Sequence, residues 1–154
     1  MAASGKTVTS LRPEFTAALF NSRGRGHLPG LVGVEILEVS EGKVLSRLQV
    51  RADLLAPNGF LHAATVIALA DTSAGYGTVA HLPPRATGFT TIELKSNFLG
   101  TVLEGEISCT ATACHLGRTT QVWDAVVAAS ATGKTLALFR CSQLILWPVE
   151  RKAS

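Results

Sequence analysis

Charged side chains are scarce in this sequence. Only 16% of its 154 residues are Asp, Glu, Lys or Arg, 47% are hydrophobic, and the formal net charge is +3. Proteins that bind nucleic acid usually carry a larger positive charge, and we therefore expect no nucleic-acid partner. A net charge of +3 does suit a ligand that carries phosphate. A chain of this length forms one domain with its own core, and the low charge suggests that another subunit covers part of its apolar surface.

Long hydrophobic runs and paired cysteines are also missing. The longest apolar run, residues 63–70, ends at Asp71 and is far shorter than the roughly 18 residues that a membrane-spanning helix needs. The first ten residues (MAASGKTVTS) lack the apolar stretch of a secretory signal. Three cysteines, Cys109, Cys114 and Cys141, form no disulfide framework. We therefore expect a cytoplasmic protein without a membrane partner.

Three common signatures of enzyme chemistry are absent or out of place. No G-x-S-x-G sequence occurs, which argues against a serine hydrolase. Residues 75–80 (GYGTVA) match a dinucleotide-binding motif in letters, but they belong to a predicted helix, so the two glycines are better explained by close packing or by room for an acyl group. Cys109, Cys114 and His115 lack the spacing of a zinc site, so we expect no metal.

The pattern of apolar residues and turn signals predicts an α+β domain in which a long buried helix shares its core with an antiparallel sheet. Alanine-rich residues 62–81 are apolar on nearly every side and form the predicted helix. A short helix at Glu14 to Phe20 and a loop at 21–30 precede it, and strands are predicted at 32–39, 43–50, 88–98, 103–115, 118–131 and 136–147. Residues 1–12 are expected to fray, and the short breaks after residue 98 suit an antiparallel meander. One face of such a sheet stays open, so a dimer is expected.

Asp71 is the most informative residue of the predicted helix. Aspartate is unfavourable inside helices and is almost never buried without a partner, yet Asp71 lies among Ala, Val, Ile and Leu, with no Lys or Arg in the helix. An exposed position or a local ion pair is the usual explanation of such a residue. Here the apolar surroundings favour a water-poor site that raises its pKa or aims it at a substrate.

His62 precedes the first turn of the same helix. Ala63 and Ala64 are expected to present free backbone N–H groups there, and the helix dipole strengthens their hold on a developing oxyanion. A packed, partly exposed histidine is the alternative. Nine residues separate His62 from Asp71, which places them on opposite sides of the helix and about 13 Å apart along its axis. One chain does not easily place both around one carbonyl, whereas two antiparallel helices of a dimer do.

Five short segments carry a resemblance to a known family. They are residues 58–64 (NGFLHAA), 69–71 (LAD), 90–94 (TTIEL), 115–118 (HLGR) and 132–137 (TGKTLA). They resemble the hotdog-fold acyl-CoA thioesterases of the phenylacetate-pathway and 4-hydroxybenzoyl-CoA type, over about residues 32–147.

This resemblance implies a hotdog fold, in which a curved antiparallel sheet wraps a long central helix, assembled as a homodimer or a dimer of dimers (homotetramer). It implies hydrolysis of an acyl-CoA without a metal and without a separate cofactor, since CoA is part of the substrate. The hotdog domain is then predicted at residues 31–148, after an N-terminal tail, short helix and loop at 1–30 and before a C-terminal tail at 149–154.

The resemblance also implies roles for individual positions. Asp71 matches the catalytic acid, as nucleophile or general base, and His62 matches the histidine that opens the helix. The Ala63 amide matches the group that polarises the carbonyl. Thr91, and less specifically Thr90, matches a hydroxyl near the reacting centre. The positions matched to substrate binding are Asn58, Ala64 and Arg118. Arg118 would meet CoA phosphates, unless it is an ordinary solvated turn arginine.

The chain departs from the family pattern at two places. Ala63-Ala64 replaces the usual Gly-Gly, which keeps the N–H donors but adds methyl groups that crowd the approach. Asn58 lies closer to His62 than the family asparagine does, which weakens its assignment to holding a water.

Two other functions fit parts of the sequence. A hotdog hydratase or dehydratase would act on a proton alpha to the thioester carbonyl, but the arrangement of His62, Asp71 and Thr91 favours a thioesterase. A non-catalytic acyl-CoA-binding regulator would need an output module, and one short helix before residue 32 is too little for a helix-turn-helix. The acyl group, aromatic or aliphatic, stays open at this point.

Overall fold

The computed structural model describes residues 9–149. Its helices are α1 (Ala17–Gly24), α2 (Leu28–Val32) and α3 (Ala63–Ala80), with a 3-10 turn at Ala52–Leu54. Its strands are β1 (Val34–Ser40), β2 (Lys43–Gln49), β3 (Gly88–Phe98), β4 (Glu106–Leu116), β5 (Thr120–Ala129) and β6 (Thr135–Leu146). Residues 1–8 and most of the predicted C-terminal tail lie outside the described residues.

The strands form one antiparallel sheet in the order β1-β2-β4-β5-β6-β3. Helix α3 lies across one face of this sheet and contacts every one of its six strands. Apolar side chains such as Leu69 on α3 and Trp123 and Leu136 on the strands fill the space between the two layers. The predicted α+β fold, with one long helix packed on an antiparallel sheet, is confirmed.

The position of β3 differs from the predicted meander. This strand pairs with β6 at the edge of the sheet, so β3 and β4 are not neighbours. The break predicted at Gly100-Thr101 is part of a longer connection, residues 99–105, which starts beside β6: the amides of Leu99 and Gly100 both donate to the Leu136 carbonyl. Turn residues show where a strand ends but not which strand it pairs with, so the meander is correct only for β4, β5 and β6.

The start of the described chain is packed, although the sequence predicts fraying there. Thr9 is buried, and its hydroxyl donates to the Leu116 carbonyl at 3.3 Å. The Arg12 amide donates to the carbonyl of Ala80 at the end of α3, at 2.8 Å. The Thr9 hydroxyl and the Arg12 amide thus fix this segment to the ends of β4 and α3, and the fraying prediction is wrong for residues 9–12.

Helix α1 is displaced from its predicted position. It begins at Ala17 instead of Glu14, because the Thr16 hydroxyl caps it by accepting from the Leu19 amide at 3.2 Å. It continues through part of the predicted loop, where the Asn21 side chain binds both main-chain groups of Ile36 on β1, at 2.8 and 2.9 Å. Helix α2 follows and spans the predicted domain boundary between residues 30 and 31.

Helix α3 approaches the sheet most closely at two glycines. A Cβ atom added to Gly77 would lie 2.6 Å from Cη2 of the buried Trp123 ring, and one added to Gly75 would lie 3.1 Å from Cζ of Phe89. Side chains larger than hydrogen at these positions would hold the helix away from the sheet. Close packing, one of the two uses suggested by the sequence, therefore accounts for both glycines.

Replacing Gly77 by alanine should lower the free energy of unfolding by about 1–3 kcal/mol, because the added methyl group must displace Trp123 or the helix. Urea denaturation measures this change. Gly88→Ala is the control, since a Cβ added there meets no atom within 4 Å. If Gly77→Ala were no less stable than Gly88→Ala, the close approach of α3 to the sheet would be contradicted.

Candidate active site

Asp71 lies in the middle of α3 with its side chain half-buried. Its Oδ1 atom is shielded from solvent and has no hydrogen-bond partner among residues 9–149, and no Lys or Arg in that range forms an ion pair with it. Burial raises the pKa of this carboxyl above its usual value. A carboxylate held away from water without a partner has the environment of a catalytic base.

Two buried cysteines lie on the same side of the sheet. Burial, and then the negative charge of Asp71, raise the pKa of the Cys141 thiol to about 12. Burial also raises the pKa of the Cys109 thiol to about 11. Both thiols therefore stay protonated at neutral pH, which argues against either of them as the nucleophile.

Hydrogen bonds from distant segments fix the start of α3. The His62 amide and the Thr65 hydroxyl both donate to the Leu54 carbonyl, at 3.2 and 2.8 Å. The Leu61 amide donates to the hydroxyl of Thr101, in the connection between β3 and β4, at 3.0 Å. The backbone just before the helix is therefore held in place without a ligand, as oxyanion stabilisation requires.

His62 caps α3 with its own ring. Its Nδ1 atom accepts a hydrogen bond from the Ala64 amide at 2.9 Å. An accepting Nδ1 carries no proton, so the proton of the neutral ring lies on Nε2 and is available to a substrate. The expectation of two free amides at the helix start is therefore wrong for Ala64, whose N–H is already bound.

The Ala63 amide is the free donor at this helix start. Ala63 is exposed, occupies the first position of the helix, and its N–H donates to no acceptor in the part of the chain that the structure describes. The 18-residue helix behind it places the positive end of its dipole here. This N–H suits an oxygen atom that gains negative charge during a reaction.

One chain does not bring Asp71 and the helix start together. Asp71 lies nine residues after His62, which corresponds to about 13 Å along the axis. The side of α3 that carries Ala64, Ala68 and Asp71 is also not fully buried, so the prediction of a helix buried on nearly every side is wrong for a single chain.

The two threonines of β3 lie on opposite faces of the sheet. Thr91 is level with Gln143 of β6, whose buried side chain faces α3, whereas Thr90 is level with Leu144, which faces away. Successive side chains of a strand alternate between its faces. Thr91 therefore lies on the same side of the sheet as Asp71, and Thr90 does not.

Gln143 is a buried polar residue that the sequence analysis did not single out. Its Nε2 donates to Cys141 Sγ at 3.2 Å, and its Oε1 has no partner among the described residues. A glutamine in an alternating strand gives no signal of its own. Only the pairing of β3 with β6 shows that it lies level with Thr91 and close to Asp71's neighbour Cys141.

Asn58 and Arg118 both make contacts within the chain. The Asn58 Oδ1 atom accepts from the Phe60 amide at 3.1 Å, in a turn where Gly59 adopts a φ of 85°. The guanidinium of Arg118, between β4 and β5, stacks on the Trp147 ring at 4.8 Å from its centre. Asn58 thus shapes the loop that leads to His62, and the substrate contacts of both residues stay predictions.

Comparison with known proteins identifies the class. Residues 58–136 match the model of the Thioesterase superfamily, and the chain belongs to this superfamily. It is similar to a 1,4-dihydroxy-2-naphthoyl-CoA hydrolase of Listeria monocytogenes, with 32% identity over 111 residues, which cover 72% of this chain and 89% of the relative.

Two solved structures share the fold. A thioesterase from Haemophilus influenzae superposes with a TM-score of 0.81 at 22% identity, covering 90% of this chain and 95% of that chain. The E. coli PaaI protein from the phenylacetic acid degradation operon superposes with a TM-score of 0.74 at 22% identity, covering 83% and 90%. The predicted hotdog fold is confirmed, and so is the prediction of an enzyme of the thioesterase class.

Two features of residues 9–149 bear on earlier expectations. No helix in this range has the length and apolar character needed to cross a membrane. In the same range, no three His, Cys, Asp or Glu side chains are placed to hold a metal ion together.

Proposed function

We propose that this thioesterase hydrolyses an acyl-CoA, with Asp71 as its catalytic carboxylate and the Ala63 amide as donor to the carbonyl oxygen. The observation that carries the proposal is the half-buried Asp71 carboxyl, whose inner oxygen has no partner and whose pKa is raised by burial. Such a carboxylate is costly to fold, and it is typical of catalytic sites. The free N–H of Ala63 supplies the complementary group.

The chemistry follows from these groups. As general base, Asp71 takes a proton from water while the water oxygen attacks the thioester carbon, and the carbonyl electrons move to the oxygen. The Ala63 N–H and the Nε2–H of His62 hold this oxyanion. When the intermediate collapses, the C–S bond breaks, CoA leaves as a thiolate that takes up the proton held by Asp71, and the free acid remains. As nucleophile, Asp71 would first attack the thioester carbon, and the C–S bond would break with CoA leaving as a thiolate to form an anhydride. Water would then hydrolyse the anhydride to the free acid and regenerate the Asp71 carboxylate.

A second copy of the chain completes the site in this proposal. Leu94 and Phe98 lie on the same face of β3 as Thr91, yet they are 39% and 46% exposed. As an edge strand, β3 also has main-chain groups without a neighbouring strand. A partner that covers this edge, with the two α3 helices antiparallel to each other, brings Asp71 of one subunit to Ala63 of the other. We therefore propose a homodimer, with a dimer of dimers as the larger form.

The substrate class is tested by release of free CoA. The relative from Listeria carries a name for an aromatic acyl-CoA, which supports including aromatic substrates. A panel of benzoyl-, phenylacetyl-, hexanoyl- and palmitoyl-CoA, followed with a thiol reagent, should show hydrolysis of at least one member. A hydratase would act on an unsaturated acyl-CoA without thiol release. If no member of the panel releases thiol, the proposed function fails.

We also propose a cytoplasmic location and no nucleic-acid partner. The three cysteines are free thiols, which suits a reducing compartment. The net charge of +3 is too small for binding nucleic acid through its phosphates.

Hydrolysis is expected to need no metal ion. Because the proposed base and oxyanion donor are both protein groups, dialysis against EDTA should leave kcat unchanged. The assay compares dialysed enzyme with the same sample after added zinc or magnesium. Activity lost to EDTA and restored by one of these ions would refute the metal-free mechanism.

A further inference from the structure

A small apolar pocket opens beside the start of α3. Its volume is about 310 Å³, near the lower end of ligand pockets in proteins. Three elements form its walls, with Leu28 and Val32 from α2, Leu54 and Leu55 from the 3-10 turn and the residue after it, and Ala64 and Ala68 from α3. His62 also lines it. We call this cavity the α2 pocket.

We infer that the α2 pocket binds the acyl group of the substrate. The inference rests on the proposed function, because it takes the Ala63 amide as the position of the thioester carbonyl. That amide lies in the chain between His62 and Ala64, both of which line the pocket. The thioester carbonyl carbon is bonded to two groups, the acyl group and the sulfur of the pantetheine arm of CoA. The pantetheine arm carries amides that need hydrogen-bond partners. The acyl group is the one that an apolar cavity accommodates without such partners.

The pocket offers few polar groups to a ligand. The Thr65 hydroxyl in its lining is already bound to the Leu54 carbonyl. Asp53, also in the lining, pairs with Arg51 at 2.8 Å. Among the described lining residues, the His62 Nε2 and the outer oxygen of the exposed Asp53 carboxylate remain without a partner, and the Nε2 is assigned to the carbonyl oxygen. The ligand class is therefore a compact apolar acyl group, such as a single aromatic ring or a short branched chain.

The size of the pocket depends on two alanines of α3. Ala64 and Ala68 are one helical turn apart and lie on the same side of the helix. A leucine at residue 68 would fill the space between α3 and α2, and it keeps the helix because leucine is a good helix former. Ala68 donates nothing to the proposed chemistry, so this change alters the size of the pocket and leaves the reacting groups in place.

The test compares substrates of different acyl size in matched variants. Ala68→Leu should lower kcat/KM for benzoyl-CoA about 10-fold or more, with a much smaller effect on acetyl-CoA. Leu28→Ala, which widens the pocket, should shift the preference toward a bicyclic aromatic acyl-CoA. Leu31→Ala is the control: it removes another exposed leucine of α2, one that lies outside the pocket lining, and should leave the preference unchanged.

A binding experiment separates this inference from the proposed function. In calorimetric titration of the Asp71→Asn protein, benzoyl-CoA should bind more tightly than CoA, and Ala68→Leu should remove that difference. If the wild type hydrolyses no acyl-CoA, the proposed function fails while the titration still tests the pocket. The inference is overturned if Ala68→Leu leaves the preference of benzoyl-CoA over CoA intact, or if it slows acetyl-CoA and benzoyl-CoA hydrolysis equally.

Discussion

Asparagine in place of Asp71 is expected to lower kcat by about 10²–10⁴-fold, the range that general-base catalysis contributes. The amide has nearly the shape of the carboxylate, but it neither takes a proton from water nor attacks the thioester. Steady-state assays with the best substrate of the acyl-CoA panel measure the loss. Turnover close to that of the wild type would remove Asp71 from the mechanism.

The same variant should be at least as stable as the wild type at neutral pH. Burial raises the pKa of Asp71 in the folded protein, so the folded state favours the protonated carboxyl. Stability therefore falls as pH rises from the unfolded-state pKa through the raised folded-state pKa, and the full penalty applies above it. Asparagine carries no such penalty. The Tm of Asp71→Asn should exceed that of the wild type at pH 8, and the difference should disappear in acid.

Two controls test whether the loss of activity in Asp71→Asn is specific to this carboxylate. Asp124→Asn changes an aspartate on the far face of the sheet, where Arg140 lowers the pKa of that carboxyl by hydrogen bonding, and it should keep its activity. The wild-type kcat/KM should also rise with pH through a pKa above the usual range of aspartate. A residual Asp71→Asn activity that shows the same rise would assign this limb to another group.

Mixing two inactive variants is expected to restore activity. Asp71→Asn removes the carboxylate, and Ala63→Pro removes the proposed oxyanion donor, so each should form inactive homodimers. A mixed dimer retains one site with an intact Asp71 and an intact Ala63 amide. If subunits pair at random, half of the dimers are mixed with one good site of two, so about a quarter of wild-type activity should return after co-refolding.

The backbone at the helix start suits this experiment. His62 has φ −65° and ψ 135°, the extended conformation that a residue before proline prefers. The Ala63 N–H has no acceptor among the described residues, so proline at this first helical position removes no internal hydrogen bond. Ala63→Gly, which keeps the N–H, should remain active. If the mixture stays inactive while mass spectrometry shows heterodimers, the site is not shared between subunits.

The sequence predicted those parts of the fold that depend on local patterns. The alanine-rich stretch produced a helix within one residue of its predicted ends, and β3 has its predicted bounds. Strand order was not predictable in this way, because the place of β3 beside β6 depends on contacts between segments far apart in the chain. The start of α1 was missed for a smaller reason: the helix was predicted to begin at Glu14, whereas the Thr16 side chain caps it and its first residue is Ala17.

The sequence suggested the residues of the candidate site, but it gave no indication of their hydrogen bonds. The unusual environment of Asp71 was visible in the sequence, and its raised pKa agrees with that hypothesis. The hydrogen bond from the Ala64 amide to the His62 ring depends on the conformation of the histidine side chain, which the sequence does not specify. The α2 pocket combines residues near positions 28, 54 and 64, so it appears only when three separate segments meet.

The contact of Gly77 with Trp123 bears on which part of this domain is able to change its conformation. Because there is no room for even a methyl group between them, α3 and the sheet are in direct contact at this point. Helix α2 is only five residues long and has no fully buried residue, so it packs less tightly than α3, although the Arg51 guanidinium donates to the Leu31 and Val32 carbonyls. We therefore expect the proposed catalytic groups on α3 to keep their positions when substrates of different shape bind. If the α2 pocket binds acyl groups of different shape, we expect the wall formed by α2, opposite α3, to be the part that adjusts.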